Sequence, residues 1–432
     1  MPFDIGLSGI NAAHADLKVT SNNIANAATV GFKASRAEFA NVYSLSKFGA
    51  ASTAIGKGVR VSAVAQQFTQ GNISFTENNL DIAINGDGFF NMVDNSGSKV
   101  YSRNGQFKVD KSGYVVNNDG YNLQGYQVTS ATDDTINTGD IDNIQLTTSQ
   151  IAPQATSTGN LIANIDASST IIAAATAINP QDPATYHHTT SFTTYDSLGN
   201  EMLTSIYFQK NVDAVAGGVN SSWTVGVRTV DAANTPLPVD LAGPIQDTED
   251  FTIEFDTSGN LVVPVAPQEL SLAYTAAGIG APTGAADQTI ALDISGVTQY
   301  GANFSVTDIQ QNGFTTGNLS GIEVDQSGIM VARFTNGESK NLGQIILSGF
   351  ANPQGLGQLG DNLWAESFSS GQPVVNVPGD GSLGLVQSGA LEEANVNLTE
   401  ELISLITAQR NFQANSKIIT TADTISQTII QM

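Results

Sequence analysis

Four groupings of residues in this 432-residue chain have types and spacings that could do chemistry. The segment "EDFTIEFD" brings Asp250, Glu254 and Asp256 within a few residues of one another, and paired carboxylates are the machinery of glycoside hydrolysis. His187 and His188 are adjacent and are the only histidines besides His14, and imidazoles bind metals. Five of the Asp-x-x-Gly segments, beginning at Asp94, Asp110, Asp196, Asp256 and Asp325, supply the oxygen atoms that calcium favours. "INGDGFF" has the glycines of a tight loop that could approach a phosphate.

Each grouping has a plainer account. In "EDFTIEFD", Phe251, Ile253 and Phe255 alternate with Asp250, Thr252, Glu254 and Asp256, the pattern of a half-buried strand with a solvated acidic face. Neighbouring strand residues point to opposite faces, so His187 and His188 are not expected to share a metal. A calcium loop needs denser ligands at alternate positions. In the Asp-x-x-Gly segments the carboxylate instead bonds its own turn and glycine supplies the positive φ that closes a hairpin. "INGDGFF" has too few glycines, wrongly placed, for a phosphate loop, and reads as a tight turn into a buried strand at Phe89 and Phe90. No catalytic site, metal or cofactor is expected.

The elements that would hold these residues are unevenly charged. The net charge is −24, which argues against nucleic acid or an anionic membrane as partner. Residues 1–111 carry +2, residues 112–332 carry −21 and residues 333–432 carry −5, so a soluble acidic middle lies between nearly neutral ends. There is no cysteine, which excludes disulfides, thiol catalysis and cysteine metal sites. No basic segment followed by an apolar run marks the start, so no cleaved secretory signal is expected. No window approaches the roughly 20 apolar residues of a membrane span, and no membrane insertion is expected.

Both ends carry a heptad of apolar residues: Phe3, Ile10, Leu17 and Ile24 with Leu7, then Leu398, Leu405, Phe412 and Ile419 with Leu402, Ala408, Ala422 and Ile429. This spacing predicts two helices packed as a coiled coil, roughly 33 Å and 50 Å long. Asn397 or Thr399 caps the second, and Glu400 and Glu401 suit its dipole. Each stripe is narrow and the body between is β-rich, so the helices are expected to order fully only when many copies pack side by side. Asn22, Asn23 and Asn26 follow the first helix and Gly31 can stop it. The strip reads either as a frayed helix end or as the elbow of a polymer subunit.

From residue 34 to 65 the chain is rich in Ala, Gly and Ser, without a sustained period. Lys33, Arg36, Lys47, Lys57 and Arg60 suit contacts with acidic neighbours or a solvated basic loop. From 70 to 365, hairpin turns recur, implying antiparallel β domains.

Four blocks carry a family resemblance. "LSGINAAHADLKVTSNNIANAATVGFKASRAEF" and "ALEEANVNLTEELISLITAQRNFQANSKIITTADTISQTIIQM" lie at the ends, with "QQFTQGNISFTENNLDIAINGDGFF" and "FKVDKSGYVVNNDGYNLQGY" between them. They resemble the bacterial flagellar axial proteins of rod, hook and hook-filament junction. An insertion of roughly 150 residues follows "LQGY", and its "TTYDSLGNEMLTSIYFQK" resembles the outer domain of the hook members rather than the shorter rod proteins.

The resemblance implies a multidomain α+β chain in which the terminal helices form a coiled-coil core and two antiparallel all-β domains lie between them. Its expected parts are 1–30 with 393–432 as core, 31–70 with 360–392 as connector, 71–145 with 295–359 as inner β domain, and 146–294 as outer β domain. It implies a subunit of a short curved tube outside the cell that transmits torque while bending, exported by the flagellar type III apparatus. The implied partners are further copies of the chain, the distal rod protein, the hook-filament junction protein and the hook cap protein. Phe3, Leu7, Ile10, Leu17, Ile24, Leu398, Leu402, Leu405, Phe412, Ile419 and Ile429 are the expected assembly residues. Asn22, Asn23, Asn26, Gly31, Phe32, Gln409, Arg410 and Asn411 are the family-motif positions. A rod or junction protein is the alternative within the class. Outside it, the alternative is an exported β-sheet hydrolase or carbohydrate binder using the acidic strand face.

Overall fold

The computed structural model describes residues 2–42, 56–128, 135–146, 150–173, 176–214, 220–231, 236–237, 240–241, 250–264, 269–274 and 285–431. Two helices lie at the ends, α1 (Pro2–Ala25) and α2 (Leu398–Gln431), with strands between them. The chain divides into two compact units, residues 1–148 with 320–333 and 339–432, and residues 149–319 with 334–338. Residues 295–319, expected in the inner β domain, lie in the second unit.

In the first unit a 13-stranded sheet gathers most strands. The strand Phe89–Val93 pairs antiparallel with Lys99–Ser102 and with Asn122–Val128, and the latter continues into Ser339–Ile345. Its core joins Ile82, Ile84, Phe90, Met92, Leu123, Met330, Ile345 and Leu347. Two chain-distant pairs tie the ends to this body: Ile73–Phe75 with Ala390–Glu392, and Ile82–Asn85 with Leu385–Ser388. "INGDGFF" does turn into a buried strand, with Gly86 and Gly88 at φ 120° and 125° and Phe89 and Phe90 buried.

Among its described residues the second unit has two six-stranded sheets. One runs His188–Tyr195, Glu201–Val212, Ser221–Asp231, Asp250–Phe255, Leu261–Val263, all antiparallel. In the other, Thr158–Asp166 pairs parallel with Gln288–Asp293 and Thr298–Tyr300, which corrects the wholly antiparallel expectation. A parallel pair needs a crossover rather than a hairpin, and more than 100 residues separate these partners in sequence. The sheets share one core, in which Leu161, Ile165, Ile290 and Leu292 meet Phe208, Trp223, Ile253 and Phe255.

The hairpin turns follow their chemistry. Asp110 Oδ1 accepts from the backbone N–H groups of Ser112 and Tyr114, both at 2.8 Å, and Gly113 takes φ 86°. The same arrangement recurs at Asp94, Asp196 and Asp256. At Asp325 the carboxylate accepts from Ile329 N–H and the Ser327 hydroxyl. A further copy is built on Asn117, whose Oδ1 accepts from Asp119 and Tyr121 N–H at 2.9 Å. The Asp-only reading missed it, although Asn117-x-x-Gly120 has the same spacing.

Candidate assembly surface

The two terminal helices lie against each other in the single chain. They run antiparallel: α1 meets α2 at Gly6 beside Ile419, at Gly9 beside Asn415, and at Asn23 bonded to Glu401. A Cβ added at Gly6 would sit 2.9 Å from Ile419 Cγ1, so the missing side chain lets the backbones approach. On α2 the residues withdrawn from solvent are Glu401, Leu405, Ala408, Asn415, Ser416, Ile419, Ala422 and Ser426. Apart from Ser416 they are spaced in steps of three and four, or seven where Phe412 intervenes, and among the described residues of α2 Ala408 alone is fully buried. Asn397 is the cap: its Oδ1 accepts from Thr399 N–H at 3.1 Å.

This seam differs from the sequence expectation. Phe3, Ile10, Leu17 and Ile24 are only half-buried, and Leu7 is exposed. On α2, Leu398, Leu402 and Phe412 are exposed, whereas the Ile429 side chain lies outside the described residues. Small residues and Asn make the α1 side of the close contact, and the large apolar side chains are left over. Ile403, Ile406, Ile418, Ile425 and Ile430 are exposed as well. Phe3, Ala414, Ile418, Thr421 and Ile425 line an open apolar groove of about 640 Å³. A contiguous apolar strip left open in this way marks an interaction surface.

Asn22 and Asn23 lie in the last turn of α1 rather than after it, and Asn26 just beyond; the strip is an ordered junction, which removes the frayed-end reading. Asn23 is 1% exposed. Its Nδ2 donates to Ser35 O at 2.8 Å and to Glu401 Oε1 at 2.9 Å, and its Oδ1 accepts from Ser35 N–H at 2.9 Å. Asn26 donates back to Asn22 O at 3.0 Å, and Asn22 is exposed. The helix ends at Ala25, and Gly31 lies six residues beyond it. Gly31 has φ 70°, donates its N–H to Glu392 O at 2.8 Å and leaves no room for a Cβ beside Asn104 N. Phe32 is half-buried, and Gln409, Arg410 and Asn411 are exposed on α2.

Lys33 corrects the connector reading. It is fully buried, and its Nζ donates to Glu392 Oε1 at 2.7 Å and to Thr69 O at 2.9 Å within its own chain. Arg103 Nη1 reaches Glu392 Oε2 at 3.2 Å and Nη2 reaches Gly86 O at 2.9 Å. Gly71 N–H adds a bond to Glu392 Oε1 at 2.9 Å. Burial pushes both the Lys33 amine and the Arg103 guanidinium below their ordinary values, and Glu392 opposes that in each. Beside this triad, Asn395 accepts from Ala34 N–H at 2.7 Å and donates to Gln67 O at 2.7 Å. Of the other connector cations, Arg36 pairs with Glu38 at the surface, Lys57 and Arg60 are exposed, and Lys47 lies outside the described residues. Sequence reasoning missed Glu392 and Arg103; the one available signal was a charged residue directly after the apolar pair Ala390 and Leu391.

Four family models match in chain order: flagella basal body rod protein over residues 3–33, flagellar hook protein FlgE/F/G D1 domain over 83–163, flagellar basal body protein FlaE D2 domain over 164–314, and flagellar basal body rod FlgEFG protein C-terminal over 387–432. The chain is 36% identical to the flagellar hook protein FlgE of Escherichia coli (strain K12) over 435 residues, covering 100% of both chains. It belongs to the flagellar hook protein family. The hook protein of Salmonella typhimurium is 35% identical over the same full span, and that of Treponema pallidum is 29% identical over 99% of this chain and 98% of that one. The fold resembles the crystal structure of Helicobacter pylori flagellar hook protein FlgE2, with a TM-score of 0.55 at 14% identity, covering 74% of this chain and 100% of that one.

In this hook-family chain three carboxylates of "EDFTIEFD" have structural partners, and Glu249 lies outside the described residues. Asp250 pairs with Arg228 at 3.0 Å, Glu254 accepts from Asn220 at 3.0 Å, and Asp256 holds its turn. The two imidazoles are a second correction: they share one side, their centroids 6.2 Å apart, and each lies against Trp223. The strand begins only at His188, so alternation does not govern His187. His188 also stacks on Phe304 with centroids 4.6 Å apart. Among the described residues no group of three His, Cys, Asp or Glu is placed to hold a metal, and no helix is long and apolar enough to cross a membrane.

Proposed function

We propose that this chain is the structural subunit of the bacterial flagellar hook, a helical tubular polymer that acts as a flexible universal joint and carries motor torque from rod to filament. The observation that carries the mechanism is the apolar surface left open on the terminal helices, from Phe3 through Ile418 and Ile425 and from Leu398 through Ile406. In this reading α1 and α2 form a coiled-coil core at 1–30 and 393–432, and neighbouring copies cover the residues that the single chain leaves exposed.

The regions 31–70 and 360–392 act as connector. An inner β domain (71–145 and 320–359) and an outer β domain (146–294, extended through 319) make the body, and the acidic outer part slides against its neighbours as the tube bends. The assembly residues are Phe3, Leu7, Ile10, Leu17, Ile24, Leu398, Leu402, Leu405, Phe412, Ile419 and Ile429, of which Leu405 and Ile419 act by holding α2 in its seam with α1. The partners beyond further copies are the distal rod protein, the hook-filament junction protein, the hook cap protein and the type III export apparatus. The chain functions outside the cell, as a structural protein rather than an enzyme.

Sedimentation under assembly conditions tests this. Ile418→Glu with Ile425→Glu changes two exposed positions, so the chain should keep its fold by circular dichroism and fail to pellet. A variant that pellets like the unchanged chain would overturn the role given to the helices.

A further inference from the structure

Away from the terminal helices the first unit carries a second, unexplained pair of features, a fully exposed phenyl ring and a phenyl-lined hole. Phe368 is 105% exposed, so its ring touches nothing in its own chain. It is nonetheless presented by a stiff turn. Ser370 N–H and its hydroxyl both bond Ser367 O, at 3.2 and 2.8 Å. Ser367 N–H bonds Ser370 Oγ at 2.9 Å, and Ser369 N–H bonds Ser367 Oγ at 3.0 Å. The Ser367 hydroxyl fastens the turn to Gly355 O. A rigidly presented apolar group loses little freedom on binding.

The hole has about 460 Å³ and is lined by Phe68, Phe89, Phe350, Val374 and Leu383, with Arg103 at its charged wall. The phenyl groups meet edge to face, Phe89 lying 5.5 Å from Phe68 and 5.8 Å from Phe350. The Arg103 guanidinium is held over the Phe89 ring at 5.4 Å. A cavity of about 150 Å³ suffices for a benzene ring, so a phenyl group and part of its turn fit.

We infer that Phe368 of one copy inserts into the Phe68–Phe89–Phe350 pocket of a neighbouring copy, as a contact between hook subunits. This rests on the hook reading. Both halves are on every chain: the turn is fastened to Asn352 and Gly355, next to the pocket wall at Ala351 and Pro353, and a ring passed head to tail into the next copy's pocket builds an open helix where the rotation does not close. Area fixes the setting. One aromatic side chain buries about 150–250 Å², far below the roughly 1,200–2,000 Å² of a stable pairwise complex. The contact therefore leaves dilute copies apart and forms when the terminal helices have already brought them together.

The chain has no cysteine, which gives a clean test on the full protein. Ser369→Cys sits beside the ring and Val374→Cys on the exposed rim of the pocket. Tubes assembled from a mixture of the two single variants and then oxidised should yield covalent dimers, and tubes of either variant alone should not. Phe368→Ala should keep the fold and raise the concentration needed for assembly about tenfold or more, as loss of a central aromatic anchor does, whereas Phe368→Leu should restore most of it. Tubes that form normally with no mixed dimer, or Phe368→Ala assembling at the unchanged concentration, overturn this contact and leave the hook reading intact. An unchanged chain that forms no tubes at all overturns both.

Discussion

Glu392→Gln is the sharpest probe of how the ends of the chain are tied to its body. The Glu392 side chain is fully buried and faces two buried cations, Lys33 at 2.7 Å and Arg103 at 3.2 Å. The amide keeps the shape and removes the only negative charge in the triad. Removing one partner of a buried ion pair costs about 3–5 kcal/mol, and here two cations lose their counter-charge together. Replacing the whole triad, Lys33→Met with Arg103→Met and Glu392→Leu, should instead come within about 1 kcal/mol of the original or exceed it, because the desolvation cost of all three charges disappears with them.

The assay is urea unfolding followed by Trp364. The chain has two tryptophans, one in each unit, so a Trp223→Phe background leaves a reporter in the first unit only. Trp364 packs against Phe89, the ring under Arg103. A loss below about 1 kcal/mol for Glu392→Gln, within the range of an exposed pair, would refute the claim that the triad is a dry electrostatic node.

Two further outcomes follow from the same geometry. Asn23→Ala removes three hydrogen bonds from a buried position and strands Ser35 N–H, so the first unit should lose about 1–3 kcal/mol in the same assay, while Asn22→Ala, at an exposed site, should lose almost nothing. Burial holds the His187 and His188 imidazoles below their ordinary value, with Lys210 adding to the effect at His187; the unfolded chain thus takes up protons first, and the second unit, followed by Trp223, should lose stability as pH falls below about 6.5. His187→Gln with His188→Gln should flatten that slope, and an unchanged slope would show that the imidazoles are not its source.

Features set by neighbouring residues were legible in the sequence: both helices from their heptads, the Asn397 cap, and the hairpins from Asp-x-x-Gly. What escaped depends on residues far apart. Lys33 reads as a loop cation because its counter-charge is 359 positions away. The face of α1 that meets α2 reads as the large apolar one, because periodicity finds Leu7 and Ile10 and gives Gly6 and Gly9 no weight, although it is the absent Cβ that sets the approach. The parallel pairing of Thr158–Asp166 and the shared side of His187 and His188 were hidden for a related reason. Strand period fixes neither which distant strand lies alongside nor where a strand begins.

A helical reconstruction by electron microscopy of tubes assembled from the purified chain shows which elements build the inner wall. We expect short curved tubes with α1 and α2 innermost, and with Leu402, Ile418 and Ile425 covered by neighbouring copies. Tubes in which those three side chains still face water, or an inner wall built from strands, would contradict that arrangement.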